Sequence, residues 1–183
     1  MQQVRPRVSF ADLERLPDDG RRRELYDGEV FVMPSPTRRH QRVVVNILEV
    51  FRDYERACGG EVVISPFDIV LTQHNMVQPD IVFFVQDRAT LLNQLGPARI
   101  PPDLAVEVLS PGTTSNDRGR KMHLLARFGV GEYWIVDPIG NTVERYVLDG
   151  EAYVLDAILI ETDTITARTL PGLTCPAARI FAK

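Results

Sequence analysis

Apolar residues follow a helical period in one long stretch of the chain. Between Arg38 and Ala57 they recur every three or four positions, and Gly59-Gly60 close the segment. This pattern predicts the longest helix of the protein. Shorter helices are predicted over 8–16, with Ser9 as N-cap and Pro17 as stop, over 89–95, and from Asn116 or Asp117 to Phe128.

A second set of segments has the composition of strands. The runs 77–85 and 104–109 are apolar on both faces, which is typical of central strands. Asp27-Gly28 lies between alternating residues and predicts a type I′ hairpin over 23–33, and Asp149-Gly150 predicts a second turn. Further strands are predicted over 61–71, 132–138, 143–148 and 152–160, followed by an edge strand and a proline-bounded end within 164–180.

The order of these elements predicts an α/β (α+β) fold. A long helix, three strands, a helix and a strand indicate a mixed central sheet flanked by helices. The N-terminal and C-terminal hairpins are expected to extend that sheet. Because the chain has no internal repeat, low-complexity segment or charged linker, we expect a single domain over residues 1–183.

Composition restricts the class of protein. A hydrophobic fraction of 44% and a charged fraction of 25% are ordinary for a soluble globular protein. No apolar run approaches the about 18 residues of a membrane span, and the opening segment has no apolar core of the signal-peptide type. We therefore expect a cytoplasmic protein without a membrane partner. Cys58 and Cys175 lack metal-ligand spacing, so they are predicted to be plain thiols.

Charge argues for local rather than general binding of nucleic acid. The formal net charge of −4 argues against a general nucleic-acid coat, which would be basic overall. Three short positive clusters could still converge on a phosphate backbone, and the alternative is that they are solvated surface charges. They are Arg21, Arg22 and Arg23; Arg38, Arg39 and Arg42; and Arg118, Arg120 and Lys121.

Two carboxylates lie inside strongly apolar, strand-like runs. Asp80 begins the run that ends at Val85, and Glu107 lies within LAVEVL. Burying an ionised carboxylate costs several kcal/mol unless a cation compensates it. A divalent metal shared by two neighbouring strands would do so. The alternatives for each acid alone are a strand end or an arginine partner.

Lys121 is one of only two lysines in the chain. It shares a helical stripe with Leu124, Leu125 and Phe128, so its stem can run along the sheet and deliver the ammonium toward Glu107. The alternatives are that it reaches solvent or forms a structural ion pair with one of the acids. Two carboxylates, a lysine and a metal indicate phosphodiester hydrolysis, in which the ammonium orients the attacking water and stabilises developing charge.

The pattern of acids and lysine resembles the PD-(D/E)XK nuclease superfamily. More closely, the chain resembles the Uma-two putative restriction endonuclease family over about Glu24 to Tyr146. The motifs that carry this resemblance are RRELYDGEV, SPTRRHQRVV, SPFDIVL, VQPDIVFFV, PDLAVEVLSPGT, DRGRK and GVGEYWIVDP, in that order.

The resemblance implies a restriction-endonuclease-like core and a metal site. It carries metal binding onto Asp80 and Glu107, with the Val108 carbonyl as a further ligand. In the superfamily the lysine lies two residues after the second acid. Here that position is Leu109, so Lys121 is interpreted as the migrated replacement.

Glu24 and His40 also match the family's motifs. The superfamily often places an accessory acidic or polar residue at these points, so both are candidates for lining the catalytic site. The alternatives are an exposed hairpin carboxylate and a helix-terminal histidine without a chemical role.

Four other residues are weaker candidates. Gln78 precedes the first acid and could touch substrate or only bond across the sheet, and Asp68 raises the same question. Trp134 and Tyr133 could stack on bases, but aromatic residues in a strand are usually core.

The leading hypothesis is an endonuclease dependent on Mg²⁺ or Mn²⁺ that acts on double-stranded DNA. Asp80 and Glu107 would hold the ion, and Lys121 would assist the attacking water. A homodimer is expected, because cutting both strands of a duplex commonly uses two-fold symmetry. The alternative is a catalytically inactive nuclease-like module for nucleic-acid binding or dimerisation, which the departure at Leu109 and the acidic net charge favour.

Overall fold

A mixed six-stranded sheet forms the centre of the molecule, in a computed structural model that describes residues 7–183. Its strand order is β10-β9-β8-β7-β6-β3, and only β7 and β8 run parallel. The strands are β3 (Glu61–Ile64), β6 (Ile81–Phe84), β7 (Leu104–Val108), β8 (Glu132–Asp137), β9 (Thr142–Asp149) and β10 (Ala152–Ile160). The fold is therefore of the mixed α+β class that the sequence predicts.

Two smaller sheets accompany the central one. The first has four strands in the order β2-β1-β5-β4, and the second pairs β11 with β12. Their strands are β1 (Arg23–Tyr26), β2 (Glu29–Val32), β4 (Ile69–Thr72), β5 (Asn75–Val77), β11 (Thr164–Thr166) and β12 (Thr174–Pro176). The N-terminal hairpin thus belongs to the four-stranded sheet, so the prediction that it extends the central sheet is wrong. The C-terminal hairpin, β9 with β10, does extend it.

One long helix covers one face of the central sheet. It is α2 (Arg38–Cys58), and the Thr37 side chain caps its N-terminus by accepting a hydrogen bond from the His40 amide. Its apolar stripe packs on inward-facing strand residues such as Phe83 and Trp134. The helix ends at Gly59, whose φ of 78° suits a residue without Cβ. The predicted long helix is confirmed.

The opposite face is covered by a helical segment that changes its winding. It runs through α4 (Thr114–Asn116), a π-helical turn (Asp117–Lys121) and α5 (Met122–Arg127). Leu124 and Leu125 pack there against residues such as Tyr133 and Ile135. The remaining helices are α1 (Phe10–Glu14), α3 (Gln86–Ala89) and α6 (Ala177–Phe181).

Several predicted boundaries are wrong, and prolines explain the largest errors. The runs 61–71 and 77–85 are each split between the two larger sheets, with Pro66 and Pro79 in the breaks. Proline has no N–H to donate, so a strand does not continue through it in the sheet interior. The helix predicted over 89–95 instead ends at Ala89, and the predicted edge strand in 164–180 is a separate two-stranded sheet followed by α6.

Other predictions are confirmed. Asp27 and Gly28 both have positive φ, 47° and 87°, as a type I′ turn requires. Ser9 caps α1 in a capping box with Asp12. Cys58 and Cys175 are free. Within residues 7–183, no helix combines the length and apolar character that crossing a membrane demands.

Candidate functional site

Lys121 lies at the centre of a buried charged cluster. Its side chain is 1% exposed, and its Nζ is 2.9 Å from Glu24 Oε1 and 2.9 Å from Glu107 Oε1. Asp117 Oδ1 lies 3.6 Å from the same ammonium. The lysine therefore reaches Glu107 as its helical position predicts, and the solvent-reaching alternative is excluded.

Asp80 and His40 form a second pair beside this cluster. His40 Nε2 lies 3.0 Å from Asp80 Oδ2, and the Val108 amide donates to the same oxygen over 2.9 Å. Both bonds use Oδ2, so neither occupies Oδ1. The chain thus places Asp80 next to β7, the strand that carries Glu107.

Five separate segments deliver these side chains. Glu24 lies on β1 of the four-stranded sheet, whereas Glu107 lies on β7 of the central sheet. Asp80 directly precedes β6, which pairs with β7 through Ile81 and Val106. His40 is in the first turn of α2, and Lys121 ends the π-helical turn. The cluster therefore occupies the junction of the two larger sheets.

Glu24 is fixed by hydrogen bonds as well as by the lysine. The Gln78 amide donates to its Oε1 over 2.8 Å, and the Tyr26 hydroxyl donates to its Oε2 over 2.7 Å. Asn116 donates to the Tyr26 hydroxyl and, at 3.4 Å, to Glu24 itself. The exposed-carboxylate alternative for Glu24 is therefore wrong, because the side chain is buried and oriented from two sides.

A small cavity opens among these groups. Its volume is about 20 Å³, enough for about one water-sized group. The carboxylates of Asp80, Glu107 and Asp117 line it together with Lys121 and His40. The rest of the wall consists of Arg22, Met33, Pro34, Pro36, Ser110 and Thr113.

Comparison with known proteins identifies the family. The profile of the Uma2 family, described as "Putative restriction endonuclease", matches residues 10–178. The chain belongs to the Uma2 family.

Two relatives illustrate how far the Uma2 chain resembles known proteins. Uncharacterized protein slr1290 of Synechocystis sp. is 29% identical over 127 residues, which are 67% of this chain and 64% of that protein. The crystal structure of "a putative nuclease belonging to DUF820" from Anabaena variabilis superimposes with a TM-score of 0.77 at 17% identity. It covers 95% of this chain and 97% of the other. This second likeness shows that the two proteins share a fold.

Burial and neighbouring charges shift the pKa values of the lysine and the acids in the Uma2 site. Burial alone would lower the pKa of Lys121, but the charges of Glu107 and Glu24 outweigh it and raise the pKa well above its ordinary value. Burial raises the pKa of Glu107 well above its ordinary value, against the pull of Lys121. Burial also raises the pKa of Asp117. For Asp80, burial is outweighed by His40, which lowers the pKa. Lys121 therefore remains charged, while the raised pKa values of Glu107 and Asp117 favour their protonated forms.

Asp117 also lines the cavity of the candidate site, although it is not among the residues predicted from the sequence. Its carboxylate is buried and lies 3.6 Å from Lys121 Nζ. The available signal was its spacing, since Asp117 and Lys121 are four residues apart and share a helix face. The π-helical turn between them is a winding that often marks functional sites.

The acidic side chains of the site are of the type that binds the divalent cation implied by the family. In residues 7–183 no group of three His, Cys, Asp or Glu side chains is arranged to hold a metal ion. Mg²⁺ and Mn²⁺ nevertheless bind through one or two carboxylates and retain water ligands. Glu107 Oε1 lies 2.9 Å from Lys121 Nζ, and the cavity beside it admits one small group. The Glu107 carboxylate and Asp80 Oδ1, which neither of the Oδ2 bonds occupies, therefore fit such a cation.

The remaining candidate residues make contacts that support the fold. Gln78 donates its side-chain amide to Asp68, so Asp68 contacts the cluster only indirectly. Trp134 and Tyr133 are fully buried in the core, which confirms the core interpretation rather than base stacking. The Val108 amide contacts Asp80, while a ligand role for its carbonyl stays a prediction.

Proposed function

We propose that the cluster around Lys121 is the active site of a metal-dependent endonuclease that hydrolyses phosphodiester bonds in double-stranded DNA. The family description supports the reaction class. One observation carries the proposal: the buried carboxylates of Asp80, Glu107 and Asp117 border a single small cavity beside one lysine. Gathering several buried acids around one cation is costly, so their presence favours a functional role.

Asp80 and Glu107, with the Val108 carbonyl, are the proposed ligands of Mg²⁺ or Mn²⁺. When bound, such an ion neutralises charge at phosphorus and lowers the pKa of a coordinated water. His40 positions Asp80 by bonding its Oδ2. The Val108 amide does the same from the neighbouring strand.

Lys121 acts as a fixed positive charge. Because its pKa is raised well above the ordinary value, it holds its proton at neutral pH and does not serve as a general base. Its ammonium is instead suited to orient the attacking water and to stabilise negative charge that develops on the phosphate oxygens. Glu24, held by Tyr26 and the Gln78 amide, fixes the position of that ammonium.

A second candidate function is a nuclease-like module without catalysis. The cluster partly neutralises itself, since Lys121 contacts Glu24 and Glu107 while His40 contacts Asp80. Leu109 also occupies the superfamily's lysine position. Under this hypothesis the fold binds nucleic acid or a second copy and hydrolyses nothing.

The homodimer, the single domain over 1–183 and the cytoplasmic location also remain proposals. The dimer follows from the substrate, because two strands of opposite polarity present related phosphates to a two-fold pair of sites.

Manganese titration and plasmid cleavage together test the nuclease. Isothermal titration calorimetry should detect Mn²⁺ binding to the unmutated protein, weakened at least about tenfold in Glu107→Gln because one ligand oxygen is lost. Mn²⁺-dependent nicking of supercoiled plasmid should fall about 100-fold or more in the same variant. Glu49→Gln, the same change on the exposed face of α2, is the control and should behave as the unmutated protein.

Either of two results would contradict the proposed active site. The unmutated protein could bind no divalent ion and leave the plasmid intact, which favours the module without catalysis. Glu107→Gln could cleave at the original rate, which would exclude this cluster as the site.

A further inference from the structure

The three positive clusters of the sequence differ in how far their side chains are paired within the fold. Arg21 and Arg23 lie near Asp19, and Arg22 donates to Gln78. Arg118 pairs with Glu144, Arg120 lies over Phe31 with Glu29 nearby, and Lys121 is buried. The first and third clusters are therefore largely engaged within the molecule.

The middle cluster remains available. Arg38 and Arg42 are exposed on α2 and form no ion pair with any carboxylate of residues 7–183. They are four residues apart, so their side chains lie on one face of the helix. Together they present two uncompensated positive charges to solvent.

Arg39 builds the floor of a groove beside these two arginines. Its guanidinium donates to the Pro138 carbonyl, the Asn141 side chain and the Ala182 carbonyl. The groove has a volume of about 410 Å³, and no residue that lines it within 7–183 is acidic. The lining residues are Arg38, Arg39, Arg42, Pro138, Ile139, Asn141 and Lys183. In a chain of net charge −4 this is a concentrated positive concavity.

The groove lies at the same end of the central sheet as the candidate site. Pro138 follows β8, and β8 pairs with β7 through Val136 and Val108, next to Glu107. Arg39 also directly precedes His40, which contacts Asp80. The groove and the cavity around Lys121 therefore both lie beyond the carboxyl ends of β7 and β8.

We propose that this arginine groove binds the phosphate backbone of duplex DNA on one side of the reacting phosphodiester. The inference rests on the proposed nuclease function and adds its binding surface. Phosphates repeat about every 3.4 Å of helix axis along each DNA strand, so two arginines one helical turn apart can contact nearby phosphates. Such contacts supply affinity and orientation without reading sequence.

Binding of a short fluorescent DNA duplex in EDTA, followed by anisotropy at several salt concentrations, tests the groove without cleavage. The double variant Arg38→Gln/Arg42→Gln should weaken Kd about tenfold, and the slope of log K against log salt should fall by about two because two phosphate contacts are lost. The matched control is Arg52→Gln/Arg56→Gln, the same spacing and charge change on the same helix, where each arginine already pairs with an acid. That control should stay within about twofold of the unmutated protein.

Three results would overturn the groove: no duplex binding by the unmutated protein, unchanged binding in the Arg38/Arg42 variant, or an equal loss in the control. Plasmid cleavage by the unmutated protein separates the two proposals. Groove-dependent binding without Mn²⁺-dependent cleavage keeps the groove and removes the nuclease. Cleavage with groove-independent binding does the reverse.

Discussion

Two glutamates on neighbouring parallel strands are both buried, yet their surroundings are opposite. Glu132 on β8 accepts hydrogen bonds from Trp134 Nε1, from the Arg168 and Thr169 amides, and from the Thr169 hydroxyl. Glu107 on β7 faces other carboxylates and one lysine, whose Nζ lies 2.9 Å from its Oε1. Both satisfy the sequence criterion of an acid in an apolar strand. Burial alone therefore does not describe the two acids, because Glu132 is held by four neutral donors whereas Glu107 depends on one cation.

Removing the lysine should have the largest effect on stability. In Lys121→Met, Glu24, Glu107 and Asp117 lose their shared cation, so the free energy of unfolding should fall by about 3–5 kcal/mol at neutral pH. Urea unfolding measures it, with Lys183→Met as the exposed control within about 0.5 kcal/mol. If the free energy of unfolding fell by less than about 1 kcal/mol, Glu107 would need the lysine charge no more than Glu132 does.

Exchanging each glutamate for its isosteric amide tests the contrast directly. Glu132→Gln should lower the free energy of unfolding by about 1–3 kcal/mol, since backbone donors then face an amide group. Glu107→Gln should change stability by less than about 1 kcal/mol, because Lys121 keeps Glu24 and one buried charge is removed. Equal losses in chemical denaturation would contradict the distinction between the two acids.

The smallest predicted effect is a pH dependence specific to Glu107. Its pKa is raised in the folded protein, whereas the unfolded carboxyl ionises near the ordinary value of 4.5. This group therefore stabilises the fold below that ordinary value and loses its contribution as pH rises toward the raised pKa. In metal-free buffer, the Tm of Glu107→Gln should gain about 2–4 °C on the unmutated protein between pH 4.5 and 8.

The contrasting behaviour of Asp80 does not obscure this window. Its pKa is lowered, so its contribution is lost only as pH falls below the ordinary value of 3.8. Parallel Tm curves for the variant and the unmutated protein across pH 4.5–8 would show that Glu107 has no raised pKa.

The parts of the fold that were predictable are those set by local pattern. The period of α2, the Asp27-Gly28 turn and the position of Lys121 on its helix each depend on residues close in sequence. The division of strands between sheets depends on long-range pairing. Proline signals at Pro66 and Pro79 were present, but which sheet each half joins is decided by partners elsewhere in the chain.

The site residues were likewise predictable where local spacing or a motif identified them. Helical spacing brought Lys121 to Glu107, and the family motifs added Glu24 and His40. Asp117 was missed because an acid at the start of a helix is usually read as favourable to the helix dipole rather than as buried. The pairing of individual arginines was also beyond the sequence, since it depends on acids such as Glu144 that are distant along the chain. The catalytic and metal-binding roles stay predictions.

The charged cluster at the junction of the two larger sheets is assembled from segments that are distant in sequence. Lys121 takes one partner from the N-terminal hairpin and another from β7, so its pocket of charge closes only after distant segments have come together. A partly synthesised or proteolytically clipped chain that lacks the hairpin has no complete cluster. Any activity that requires the complete cluster is thereby restricted to intact, fully folded molecules.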